Sequence, residues 1–314
     1  MMDLLKRKKS LIAGALCLLM AAGFATAQAE EKPMAAAQTD IKTAVSAPAN
    51  TAAEEEKPTA DLTVYLLNLY YHQGMAFSRN SLVIQPSMTI GYKGFTANLW
   101  GNLDTNPYPL NPVNVKHASN WTETDVTLAY GKTFGMVNTG LSYAYYGNAG
   151  AHYRAADARD LQEIGLTLGL NTLLNPTLNA YYMIDNSQRW YFMFGVSHTV
   201  AFNKAVSLKL SATAGYMASD MNAAEMDGTR NRIDGNGAVM AEKYNGFLDG
   251  VVSAAMPVKV TKSITVTPSV ALAFPLGKDA ENYMKYNSYT DVAMSFSDKP
   301  GMFLIYGMAA AYSF

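Results

Sequence analysis

The chain has 314 residues, with 25 acidic and 24 basic side chains, a formal charge of −1 and 16% charged residues overall. No basic cluster interrupts the body of the chain, which argues against nucleic acid as a partner. A mean hydropathy of −0.02, with no later run approaching the ~20 apolar residues of a spanning helix, excludes a helical membrane protein; 20 tyrosines suit a surface that is partly greasy, partly aromatic and rarely ionic.

The first 29 residues read as a secretory signal peptide. Lys6, Arg7, Lys8 and Lys9 form a basic start, Leu11 to Phe24 an apolar core, and Ala25-Thr26-Ala27 or Ala27-Gln28-Ala29 a small-x-small cleavage site after Ala27 or Ala29. Cys17, the one cysteine, follows Leu16, where a lipoprotein signal would want a small residue. Removal of residues 1–29 takes away four basic residues and Asp3, shifting the charge from −1 to −4, and leaves no thiol or disulfide chemistry. Residues 30–60 are rich in Ala, Glu, Pro and Thr; such a stretch buries too little apolar surface to offset its ordering entropy and reads as a disordered periplasmic lead.

From Asp61 to Phe314 apolar and polar residues alternate with period two, the strand signal. Strands are expected at roughly 62–73, 81–92, 95–103, 121–131, 136–146, 161–171, 177–185, 190–202, 206–217, 244–256, 263–274 and 302–314. In the segment from Ser263 to Phe274, Ile264, Val266, Val270, Leu272 and Phe274 share one face, while Thr265, Thr267, Ser269, Ala271 and Ala273 share the other. Long apolar faces opposite small or hydroxylated ones fit lipid outside and water inside. The connections alternate between tight turns, such as Lys93-Gly94 and Asn203 to Ala205, and long polar loops around 104–120, 147–160, 218–243 and 275–301. Short periplasmic turns and long external loops mark outer-membrane barrels. The pattern therefore predicts an all-β fold, a transmembrane antiparallel up-and-down barrel of about twelve strands over residues 61–314, with the N-terminus periplasmic. A soluble β-sandwich or solenoid is the competing architecture.

The last strand alternates Leu304, Tyr306, Met308, Ala310, Tyr312 and Phe314, which looks like the signature read by the outer-membrane barrel-assembly machinery. Aromatic residues gather at strand ends. Tyr92, Phe95, Tyr130, Phe134, Phe202, Tyr312 and Phe314 are expected at the periplasmic rim, and Tyr71, Tyr145, Tyr182, Trp190 and Phe274 at the external rim, as girdles against membrane lipid.

The polar faces name a candidate lumen. Asn98 and Trp100 come from one strand, Glu123 and Asp125 from the next, then Glu163, then Asn179, Tyr181 and Asp185, and finally Lys209 and Asp249. Five acids against one base in a narrow passage imply weak cation preference in a channel for small hydrophilic solutes. Against this stands an interior plugged by its own side chains, or a non-conducting barrel whose external loops bind a partner or surface. Catalysis has one candidate, His117, Ser119 and Asn120, and it lacks an orienting third residue, so no enzyme is expected. His72, His152 and His198 are isolated, and the Asp227 to Gly237 stretch lacks the ligand order and closing Glu of a calcium loop. It reads as a flexible external loop, and no metal or cofactor is implied.

Tyr70-Tyr71-His72-Gln73-Gly74, then Ile84-Gln85-Pro86-Ser87-Met88, then Gly94-Phe95-Thr96-Ala97-Asn98-Leu99-Trp100-Gly101 resemble the opening of the TorF family of outer-membrane porins. There an aromatic strand ends in an Arg-Gly step and is followed by a QPS strand and a GF…W strand. Glu123-Thr124-Asp125, Tyr143 to Tyr146, Gln162-Glu163, Asn175-Pro176-Thr177 and Tyr181-Tyr182 follow in order. The resemblance spans most of residues 62–314 and implies a porin-like barrel without catalytic residues. Gln73 stands where the family usually has Arg.

Overall fold

The computed structural model describes residues 57–78, 81–107, 120–148, 160–184, 188–220, 230–288 and 294–314. Twelve long strands follow one another: β1 (Thr59–Leu67), β2 (Val83–Tyr92), β3 (Phe95–Asp104), β4 (Trp121–Phe134), β5 (Val137–Asn148), β6 (Leu161–Leu170), β7 (Thr177–Met183), β8 (Arg189–Ala201), β9 (Ser207–Ser219), β10 (Asn245–Ala255), β11 (Ile264–Pro275) and β12 (Phe303–Ser313). Each pairs antiparallel with the next, and β12 returns to β1 through Leu62↔Tyr312 and Leu66↔Met308. The ladder is closed. Closure leaves no strand edge, the condition under which a sheet can stand in hydrocarbon.

Period two sets the two faces of the wall. Leu128, Leu141 and Leu166 point outward and are 52%, 53% and 52% exposed, whereas Thr127, Glu163 and Asn179 turn inward and are buried. A soluble sandwich would bury that apolar face. At one rim the turns are tight. In the two-residue link between Tyr92 and Phe95, Lys93 and Gly94 both take positive φ (50° and 83°), which matches the twist of paired strands. Aromatic rings collect at both rims: Phe95 lies 4.6 Å from Tyr130 and Tyr312 4.6 Å from Phe314 at the short-turn rim, while Tyr182 lies 4.7 Å from Trp190 at the other.

The structure corrects the sequence reading at the long-loop rim. The strand expected over 62–73 ends at Leu67, and the following residues leave the wall and fold into the barrel. Tyr71 therefore lies inside, 1% exposed, and not on the external girdle. The loop expected at 275–301 contains a helix, α1 (Lys278–Asn287), whose Ala280, Tyr283 and Met284 are buried against the barrel interior. Residues Asn231–Ile233 and Val239–Lys243 pair as a short hairpin within the stretch read as loop; Asp227 to Thr229 lie outside the described residues.

The lipid-facing reading makes a depth-dependent prediction. Leu166→Arg, at the middle of β6, is expected to cost about 2–4 kcal/mol of stability in a bilayer, and Leu170→Arg at its end about 0–1 kcal/mol. Guanidinium unfolding in phospholipid vesicles measures both; equal costs would contradict the membrane placement of this wall.

Candidate functional site

The lumen at the long-loop end is filled by the chain that connects β1 to β2. Asn68 continues the ladder as β1 ends: its amide donates to the Tyr306 carbonyl, its Nδ2 donates to the Leu304 carbonyl, and its Oδ1 accepts from the Tyr306 amide. Beyond it, Tyr71 pairs with Ala76 and His72 with Met75, closed by a two-residue turn in which Gln73 and Gly74 both have positive φ (43° and 80°). Glycine suits that backbone at little cost, and this turn type fits a tight hairpin. The hairpin is buried on both faces, and Tyr70 packs against Trp100 of β3 at 5.6 Å between ring centroids.

Three polar side chains of the hairpin reach three parts of the wall. The Tyr70 hydroxyl donates to Glu123 on β4 at 2.9 Å, the Gln73 amide to Glu163 on β6 at 3.2 Å, and the Tyr71 hydroxyl to Asp249 on β10 at 2.9 Å. Two of these carboxylates are gripped from both sides. Glu163 also accepts from Tyr146 of β5 at 2.8 Å, and Asp249 from Tyr191 of β8 at 2.8 Å. Gly215 on β9 leaves the room for the second clamp, because a Cβ there would fall 2.3 Å from the Tyr191 hydroxyl and 2.4 Å from Asp249 Oδ1. Charge-assisted bonds of this kind contribute about 1.5–3 kcal/mol each.

The sequence-predicted lumen set turns inward where the structure describes it. Trp100, Glu123, Asp125, Glu163, Asn179, Tyr181 and Asp249 are buried, while Asn98 and Lys209 are half-buried. Asp185 lies outside the described residues. The hairpin brings Glu123, Glu163 and Asp249 together around one element. Asn98 belongs to a different level, nearer the short turns, where short neutral side chains bond one another: Asn98 to Ser87 and Thr89, Thr167 to Asn179, and Ser211 to Ser253. His117, Ser119 and His152 lie outside the described residues, and Asn120 is an exposed loop residue. His198 contacts the Leu173 carbonyl at 2.8 Å near the short-turn rim.

Sequence reasoning missed the buried charges Asp104, Arg189 and Arg230. Asp104 and Arg189 each lie one residue beyond a predicted strand end and share parity with Asn102 and Tyr191, so the alternation could have found them. The two arginines, with Lys209, narrow the predicted excess of acid.

Ion pairs hold the elements over this end together. Arg232 of the short hairpin bonds Glu242 and Asp279 of α1. Within α1, Glu281 pairs with Lys285 at 2.8 Å and Lys278 at 3.1 Å. Bonding to Lys285, and then to Lys278, holds the Glu281 carboxyl below its ordinary value. Among the described residues no group of histidine, cysteine and carboxylate side chains is placed to hold a metal.

No family model matches the sequence, and no curated protein matches it as a relative. Solved structures similar to it are membrane barrels. The NanC porin aligns at 8% identity over 81% of this chain and 98% of its own, with a TM-score of 0.46. An outer membrane channel from Pseudomonas putida F1 aligns at 8% identity over 83% and 97%, TM-score 0.44. The translocator domain of the autotransporter NalP from Neisseria meningitidis aligns at 9% identity over 84% and 89%, TM-score 0.40. The fold assignment rests on the chain's own closed ladder, and no residue role is carried over.

Two outcomes are expected. Tyr71→Phe removes one donor from Asp249 and should speed amide exchange across residues 70–77 by roughly tenfold to a hundredfold, the equivalent of about 1.5–3 kcal/mol; unchanged exchange would mean that apolar packing alone holds the hairpin. Because the folded Glu281 value is depressed, its stabilisation of α1 is present above the ordinary value of 4.5 and is lost as pH falls through the lower folded value. Protection of α1 amides should decline below about pH 4.5 in the wild type and show no such step in Glu281→Gln.

Proposed function

We propose that this protein is an outer-membrane, porin-like channel, N-terminus periplasmic, through which small hydrophilic solutes diffuse, and that the conformation described is its closed one. The observation that carries this reading is the division of the lumen: a vestibule at the short-turn end lined mainly by hydroxyls and amides, with Asp61 and Lys209 as its charges, and at the other end a hairpin hydrogen-bonded to Glu123, Glu163 and Asp249. A wall meant only to be solid has no need of a polar vestibule, and a twelve-stranded barrel is wider than its own side chains fill. The ordered resemblance to the TorF family of porins agrees with this. Weak cation preference follows from Asp104, Glu123, Asp125, Glu163 and Asp249, partly offset by Arg189, Arg230 and Lys209. The exposed Phe314, whose amide bonds the Ala60 carbonyl at the barrel rim, is the residue we assign to recognition by the barrel-assembly machinery.

One observation favours a second reading. Tyr283 and Met284 of helix α1, with Leu248 of β10, cluster with Met75 and Ala76 of the hairpin, as suits a non-conducting barrel whose external loops bind a partner.

Planar-bilayer recording of the mature protein separates the two. Brief, infrequent steps are expected from the wild type, and steady steps with a cation-favouring reversal potential from a variant in which residues 69–77 are replaced by a short Gly-Ser link. Asp125→Asn should reduce that preference. A shortened variant that is folded, as judged by heat-dependent gel mobility, yet silent would overturn the channel and favour the loops.

A further inference from the structure

The outer wall carries a groove of about 970 Å³ near the short-turn rim, at the upper end of the size of small-molecule pockets. Strand register explains it. One row of outward residues crosses β2 to β6 as Ile90, Ala97, Leu128, Tyr143 and Ile164. The next row towards the rim is Tyr92, Phe95, Tyr130 and Leu141. Ala97 is the one small residue in the first row and forms the floor, and Phe314 contributes to the wall.

Two cations stand at the rim end of this groove. Lys93 occupies the turn between groove residues Tyr92 and Phe95, with its ammonium 5.3 Å from the Tyr92 ring centroid. Lys132 follows groove residue Tyr130 on the same outward face, 5.2 Å from the Phe134 centroid. The Gly131 amide donates to the Gly94 carbonyl at 2.9 Å, so the two lysine-bearing segments are backbone neighbours. Asp61 on β1 turns into the lumen, where it accepts from Thr63 and Ser313, and so does not neutralise them.

We propose that this groove is a binding site for one anionic phospholipid, its acyl chains over Ala97 and its headgroup phosphate between Lys93 and Lys132. The proposal rests on the membrane placement of the wall and is independent of conduction. A greasy slot flanked by snorkelling lysines matches both ends of such a molecule, whereas bulk lipid contacts the rest of the wall without a fixed phosphate partner. Each lysine near an anionic surface strengthens binding by roughly fivefold.

Native mass spectrometry of the mature protein, released from detergent after incubation with phosphatidylglycerol or phosphatidylethanolamine, tests it. The wild type should retain one phosphatidylglycerol in preference to phosphatidylethanolamine. Ala97→Trp, which fills the floor, should abolish retention of both. The double variant Lys93→Gln, Lys132→Gln should bind phosphatidylglycerol at least tenfold more weakly and lose less affinity for phosphatidylethanolamine, whose ammonium already offsets its phosphate. Heat-dependent gel mobility reports folding of each variant, and the double lysine variant lies wholly on the surface. Undiminished retention in Ala97→Trp, or an unchanged lipid ratio in the lysine variant, would overturn the site.

Discussion

In hydrocarbon there is no water to take an unmade backbone hydrogen bond, and each one left open costs several kcal/mol. The seam between β12 and β1, from Asp61↔Ser313 to Leu67↔Gly307, is therefore the contact on which the rest depends. Closing it fixes the strand count at twelve, and the strand count fixes the width of the interior. An interior of that width must hold either water or more chain. The two ends differ here: hydroxyls and amides, with Asp61 and Lys209 among them, line the interior towards the short turns, and a folded-in hairpin fills it towards the long loops.

The manner in which the hairpin is held bears on whether it can leave. A carboxylate cut off from water is costly to strip of its partners, because the charge then stands uncompensated. Glu163 accepts from Tyr146 of the wall and Gln73 of the hairpin; Asp249 accepts from Tyr191 of the wall and from Tyr71 and the Gly74 amide of the hairpin. If the hairpin withdraws into a wet lumen, the wall donors stay and water takes the place of the donors that leave. In that case the wall tyrosines Tyr146 and Tyr191 keep the acids positioned. The stronger resistance to opening comes from the apolar packing of Met75 and Ala76 under Met284 and Tyr283, which water cannot replace.

The wall was legible in the sequence because a closed sheet with lipid on one side enforces strict alternation, and every strand boundary except the end of β1 falls within about three residues of the one expected. The hairpin was not, for a specific reason. Leu67, Leu69 and Tyr71 keep the parity of β1, so alternation alone runs the strand on past its true end. The contrary signal was local. Leu69, Tyr70, Tyr71, Met75, Ala76 and Phe77 are apolar on both parities, and Gln73-Gly74 between them is a two-residue turn. Helix α1 hid in the same way: Ala280, Tyr283, Met284 and Asn287 have helical spacing inside a stretch whose overall polarity reads as loop.

On the proposed channel reading, the placement of the charges would tie selectivity to closure. Glu123, Glu163 and Asp249 are the hairpin's anchors as well as three of the lumen's buried acids, and the vestibule below them is lined by Asn98, Thr127, Thr167 and Asn179. If the barrel conducts, a solute arriving from the short-turn side passes Asp61 and Lys209 among neutral side chains before it meets the acid cluster, and it meets that cluster at the level where the chain blocks its path. Neutralising one of these acids would then alter ion preference and loosen the hairpin together. Asp125 is buried on the same strand as Glu123, and comparing its substitution with that of Glu163 asks whether the two effects separate. A change in preference at both positions, with a change in open probability at Glu163 alone, would assign the field to the acids jointly and the closure to the clamps.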